Sequence, residues 1–134
     1  MLFDYLCSME KKIINTTGAP APIGPYSQAV KAGSMLFISG QIAIDPATGT
    51  IRNDNIKAET QQVMHNLKAI LDQAGAAFSH IVKTTIFLSD MSLFNEVNEV
   101  YGSFFKEDFP ARETVAVKGL PRNVNVEISM IASL

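Results

Sequence analysis

Charge is scarce in this sequence, and so are cysteine and histidine. Only 18% of the 134 residues are Asp, Glu, Lys or Arg, below the usual quarter or so for a soluble domain. The 11 basic and 13 acidic residues leave a net charge of −2 with no Lys/Arg run, whereas a nucleic-acid binder carries a clustered basic footprint. No apolar stretch approaches the ~20 residues that span a bilayer. Cys7 is the single cysteine, so neither an internal disulfide nor a Cys-based zinc site is available, and the chain suits a reducing, cytoplasmic setting. His65 and His80 have no His, Cys or Asp at metal-ligand spacing and read as structural or surface residues. Gly-rich phosphate loops are missing, and no metal or organic cofactor is expected.

What is present is a large apolar fraction, 47%, enough for the core of one domain. The start, "MLFDYLCSMEKK", lacks a basic n-region and is interrupted by Asp4, so it makes a poor signal peptide. Met9 is a plausible start of its own. Residues 1–9 are therefore read as a flexible N-terminal extension, and 10–134 as the domain. "APAPIGPYSQ" (19–28) holds three prolines and a glycine, which excludes helix and central strand; as an ordered loop it would need cover for Ile23 and Tyr26.

"QAVKAG" and "SMLFISGQI" read as two strands joined at Ala32-Gly33-Ser34. In the second, Leu36, Ile38, Gly40 and Ile42 share one face, and Met35, Phe37, Ser39 and Gln41 the other. Between Ile56 and Ala74 the period changes: Ile56, Thr60, Val63, Met64, Leu67, Ile70, Leu71 and Ala74 recur at helical spacing, with Gly75 at the stop. "HIVKTTIFLSD" (80–90) is a strand, and Asp90 or Ser92 can cap the next helix, marked by Leu93, Val97, Val100, Tyr101 and Phe104. "ETVAVKG" and "VNVEISMIASL" (124–134) close the chain as strands, the last with Glu127 on its mixed face. The order is β-β-α-β-α-β-β, with a further short strand at "KKIIN". This predicts an α+β single domain, a mixed sheet with two helices on one face. The opposite face is left open, and other copies of the chain are its simplest cover.

"IGPYSQAV", "LFISGQIAIDPATG", "VKTTIFLSDM", "FPARETVAV" and "LPRNVNVEISMIA", in this order and spacing, resemble the RidA/YjgF/L-PSP (Rid) family over about residues 10–134. The resemblance implies a chorismate-mutase-like fold and a homotrimer, its sheets forming a barrel with clefts between subunits. It also implies a hydrolase that deaminates reactive enamines and imines, such as 2-aminoacrylate (2-iminopropanoate) and 2-iminobutanoate, to 2-keto acids and ammonia.

Arg112 then ceases to be a charge that snorkels to solvent beside an apolar strand. By resemblance it anchors the carboxylate of a small 2-imino acid, which its planar fork fits bidentately. Glu127, expected across a strand pair from Arg112, would orient or deprotonate the attacking water. Tyr26 and Ser39 match cleft positions, with Tyr26 donated by a neighbouring subunit, and Asn98 matches an asparagine of more structural than catalytic character. Thr114 stands where many archetypes carry cysteine, and Glu113 where they carry a small residue. Three functions stand side by side: the imine deaminase; a single-strand endoribonuclease and translation inhibitor, which the mild acidity opposes; and a non-enzymatic holdase or metabolite-binding protein using the same cleft. The preferred imine side chain does not follow from the sequence.

Overall fold

The computed structural model describes residues 10–134, so the reading of residues 1–9 as an extension lies outside the described residues. Six strands form one sheet: β1 (Lys11–Ile14), β2 (Ala29–Ala32), β3 (Met35–Gln41), β4 (Ile81–Leu88), β5 (Ala111–Ala116) and β6 (Val126–Ser133). Their order across the sheet is β1-β2-β3-β6-β4-β5. Neighbours run antiparallel except β4 and β5, which are parallel. A parallel pair needs a crossover, and the helix α2 (Phe94–Gly102) supplies it. The other helix, α1 (Ile56–Gln73), links β3 to β4.

Helix α1 starts where the Asn55 side chain accepts a hydrogen bond from the Ala58 N–H, satisfying one of the donors that a helix start leaves free. It stops at Ala74, followed by Gly75 at φ +71°, the left-handed conformation that glycine adopts without a Cβ penalty. Val63, Met64, Leu67, Ile70 and Leu71 are buried on its sheet side. They pack with Leu36, Ile38, Ile86, Leu88, Ile128 and Met130 in one core cluster. Each such side chain contributes about 1.5–3 kcal/mol of burial energy.

The alternation expected in β3 fails after Ile38. Ile38 pairs with Met130 but Gln41 pairs with Ile128, so Ser39 and Gly40 together oppose Ser129, a bulge. The bulge returns Gln41 to the buried set and aims the Cα–H of Gly40 at Glu127 on the helix-free face. That face carries an apolar row in register across four strands: Ile13, Val30, Phe37 and Ile131. Among the described residues nothing covers the row fully, for Ile13 and Phe37 are exposed by 49% and 46%.

Candidate active site

The predicted site residues fall into two groups on opposite sides of the sheet. Arg112 and Thr114 lie on β5, the edge strand, and are aligned with Thr84 and Ile86 of β4. Thr84 and Ile86 are fully buried, so Arg112 and Thr114 share the helix-covered face. There Arg112, Asn98, Tyr101, Gly102, Phe109 and Pro110 line a cleft of about 280 Å³. The Arg112 guanidinium carbon sits 5.1 Å from the centre of the Tyr101 ring and 5.7 Å from that of Phe94. Among the described residues no carboxylate lies within ion-pair distance of it. The Thr114 Oγ1 is buried and has no hydrogen-bond partner among the described residues.

Tyr101 closes the floor of this cleft. Its hydroxyl donates to Thr84 Oγ1 at 2.9 Å, which satisfies a buried threonine in the middle of the sheet. Burial raises the Tyr101 phenol above its ordinary pKa, while the Thr84 bond and the Arg112 charge pull the other way.

Glu127 lies on β6 and faces away from the helices, aligned with Phe87. It shares a narrow cavity of about 40 Å³ with Tyr26, Ile23, Gly40, Ile42 and Pro121. Burial pushes its carboxyl above the ordinary glutamate range. A Cβ placed on Gly40 would come within 2.8 Å of Glu127 Cδ, so the missing side chain is what lets the carboxyl lie against β3. The Tyr26 hydroxyl accepts from the Ile23 N–H at 3.2 Å. Both residues remain exposed, at 45% and 61%, so the cover expected for this loop does not come from the other described residues. Ser39 donates its hydroxyl to the Ser27 carbonyl at 2.6 Å, the behaviour of a bracing serine and not of a nucleophile.

The expectation that Glu127 stands across a strand pair from Arg112 is corrected by the strand order. β4 separates their strands, and the two residues are offset by three register positions, Thr84 against Phe87. At ordinary strand spacing that is roughly 10 Å across and roughly 10 Å along, on opposite faces. Glu113 also faces away from the Arg112 cleft, where Lys83 Nζ donates to it at 3.1 Å and Thr85 Oγ1 at 3.2 Å. The Lys83 bond and charge hold its carboxyl below the usual range.

Several residues with consequences for the site went unread in the sequence. Glu59 of α1 is fully buried and accepts from Asn125 N, Asn125 Nδ2 and Val126 N at 2.7, 3.0 and 3.1 Å, fixing the chain just before Glu127. Gln28, also buried, donates to the carbonyls of Thr16, Ala19 and Pro20 and accepts from Thr16 N–H, tying down the loop that carries Tyr26. Among the described residues no group of three His, Cys, Asp or Glu side chains is arranged to hold a metal ion. No described helix is long and apolar enough to cross a membrane.

Comparison with known proteins gives one consistent result. Residues 16–134 match the family model for Endoribonuclease L-PSP. A RutC family protein of Pyrococcus horikoshii is 52% identical over 122 residues, which cover 91% of this chain and 97% of that protein. Reactive Intermediate Deaminase A, chloroplastic, of Arabidopsis thaliana is 43% identical over 127 residues, covering 95% of this chain and 68% of that protein. Among solved structures, E. coli TdcF with bound serine aligns with a TM-score of 0.88 at 42% identity, over 92% of this chain and 98% of that one.

Proposed function

The chain belongs to the Endoribonuclease L-PSP family, also called Rid or YjgF, and from that premise we propose that it hydrolyses small reactive 2-imino acids to 2-keto acids and ammonia. The observation that carries the reading is the Arg112 guanidinium, set at a cleft mouth with no carboxylate partner among the described residues. A solvated surface arginine has no need of such a setting, whereas a substrate carboxylate does. The name of the Arabidopsis relative and the serine bound to the E. coli one point to the same class of ligand, a small amino-acid-like carboxylate.

The proposed catalytic pair is Arg112 and Glu127, taken from two subunits of a homotrimer. Arg112 holds the carboxylate with two parallel N–H donors, while Asn98 and Thr114 shape the pocket around it. The neighbour supplies Glu127, with Tyr26 and Ser39 beside it. Glu127 takes a proton from water as the oxygen attacks the imine carbon. The C=N π electrons pass to nitrogen, which takes that proton back from Glu127. In the resulting carbinolamine Glu127 passes the hydroxyl proton to the amine, the C–N bond breaks, and ammonia leaves as the C=O of the 2-keto acid forms. A carboxyl whose pKa is raised by burial is a better proton acceptor than an ordinary one. Fixing the carboxylate and the water in one geometry supplies most of the remaining acceleration.

Residues 10–134 are proposed to suffice for this activity, so a chain started at Met9 should keep its turnover. The test is hydrolysis of imines generated freshly by a serine or threonine dehydratase, run beside an assay for single-stranded RNA cleavage. Arg112→Lys keeps the charge and loses the fork. It should lose ~2–4 kcal/mol of transition-state stabilisation. RNA cleavage without imine hydrolysis would move the function to the nuclease reading. Ligand binding without turnover would move it to the metabolite-binding one.

A further inference from the structure

We infer that Phe94 and Tyr101 are positioning residues for Arg112, two rings that fix the plane of its guanidinium before any carboxylate arrives. The inference deepens the imine-hydrolase reading of the same cleft and rests on it. Phe94, Asn98 and Tyr101 stand at i, i+4 and i+7 on α2, one stripe along one side of the helix. Asn98 and Tyr101 line the Arg112 cleft, and both rings lie within cation–π distance of its guanidinium carbon, at 5.7 Å and 5.1 Å.

Tyr101 is itself immobilised. It is 4% exposed, and the Thr84 that accepts its hydroxyl hydrogen bond is the residue aligned with Arg112 across β4 and β5. Phe105 packs against it with ring centres 4.9 Å apart. The ring that steadies the guanidinium is thus bonded to the same strand pair that carries the arginine.

The chemistry explains why rings suit this task better than a carboxylate. A carboxylate would hold the guanidinium by its N–H edge, the edge that a ligand carboxylate must use. An aromatic ring attracts the cation through its face and leaves the in-plane N–H donors free. Arg112 has no carboxylate within reach among the described residues, whereas Arg52, Lys57, Lys68 and Lys83 each pair with one. The arrangement is that of a cation kept oriented and unneutralised.

The decisive experiment measures order and binding together. In the unliganded full-length protein, ¹⁵N relaxation at Arg112 Nε should report a rigid group. In Phe94→Leu the order parameter should fall below about 0.6, and Phe94→Tyr should restore it. Calorimetry with 2-oxobutanoate should show binding about 5- to 20-fold weaker in Phe94→Leu and near wild type in Phe94→Tyr. In an Arg112→Lys background, Phe94→Leu should change binding less than two-fold, because an ammonium has no plane to hold. Tyr101→Phe keeps the ring and should preserve the Arg112 order parameter even as loss of the Thr84 bond lowers stability. A mobile Arg112 Nε in the wild type overturns the inference whatever the ligand does. So does an equal binding loss from Phe94→Leu in both arginine and lysine backgrounds. If instead Arg112 is rigid on its rings but Arg112→Lys binds 2-oxobutanoate like wild type, the carboxylate-anchor reading fails. The rings then merely pack the arginine stem, and the inference falls with that reading.

Discussion

Glu127 shows how much a single side chain owes to the backbone beside it. Its carboxyl lies where a methyl on Gly40 would be, 2.8 Å from Cδ and 3.0 Å from Oε2. The colliding atoms end a flexible chain, so Gly40→Ala should fold and displace the carboxyl. Turnover should fall roughly 10- to 100-fold, the scale of a displacement near 1 Å at a reacting group, while 2-oxobutanoate binding at Arg112 stays within about two-fold of wild type. Calorimetry and steady-state kinetics on one sample decide it: equal losses in both would remove Glu127 from the proton-transfer role. Burial also fixes a pH signature. The folded pKa of Glu127 is raised, so the stability tied to it is fullest below the ordinary glutamate range and is lost as pH rises through the raised value. Glu127→Gln should accordingly be more stable than wild type at neutral pH, with the advantage shrinking as both are acidified through the glutamate range. On the proposed mechanism the substrate carboxylate neutralises the Arg112 charge, so kcat should rise with pH through an inflection above the ordinary glutamate value. That inflection should be missing in Glu127→Gln. A wild-type kcat that is flat across this range contradicts Glu127 as the proton acceptor.

At the scale of elements, the buried carboxylate of Glu59 joins helix to sheet. Three N–H donors from Asn125 and Val126 converge on it, and Ser89 N and Oγ bond the other side of Asn125. Glu59→Ala would strand the Val126 N–H in the core and open a cavity. It should lower unfolding stability by about 2–4 kcal/mol with an unchanged m-value, measured in urea at fixed protein concentration. Glu59→Gln keeps one acceptor oxygen and should cost less; an unshifted midpoint in Glu59→Ala would make the clamp energetically idle. The pattern around Glu59 also shows where sequence reading runs out. The helix itself was legible, because Ile56, Val63, Leu67 and Ile70 keep a period near 3.6 and Gly75 supplies the stop. Glu59 and Asn66 fall on that same stripe, yet a charged residue on a helix reads as solvated until its partners are known, and those partners are 66 and 67 residues away. The bulge at Gly40 was hidden for a related reason. "MLFISGQI" alternates acceptably to its end, and only pairing with Met130 and Ile128 reveals the slip. Strand order has no local signal at all. Because β6 pairs with β3 and β4, β4 lies between Glu127 and Arg112, and no spacing in the sequence announces it. The motifs single out candidate site residues one at a time. They carry no sign of the division between two faces.

For the whole molecule, that division is the strongest physical argument for assembly. The described residues of one chain leave an apolar row of Ile13, Val30, Phe37 and Ile131 on the helix-free face, and Tyr26 and Ile23 exposed beside Glu127. Sedimentation should therefore give three times the chain's 14.6 kDa, and a monomeric mass would leave the row unexplained. A sharper prediction follows from the two halves. If each site takes Arg112 from one subunit and Glu127 from the next, two inactive variants can repair each other. Arg112→Ala and Glu127→Gln chains, unfolded together in equal amounts and refolded, should assemble at random. An intact site needs a Glu127→Gln subunit to supply arginine and an Arg112→Ala subunit to supply glutamate. In a cyclic trimer that ordered pairing occurs at about a quarter of interfaces, so the mixture should recover about a quarter of wild-type activity. Each variant refolded alone should stay inactive, which guards against recovery by misfolded or residual enzyme. A site built within one chain predicts no recovery from the mixture, since every subunit then carries one defect. Wild type refolded in parallel sets the yield against which the quarter is measured. Activity no greater than the mean of the two variants would return both residues to a single subunit and refute the shared site.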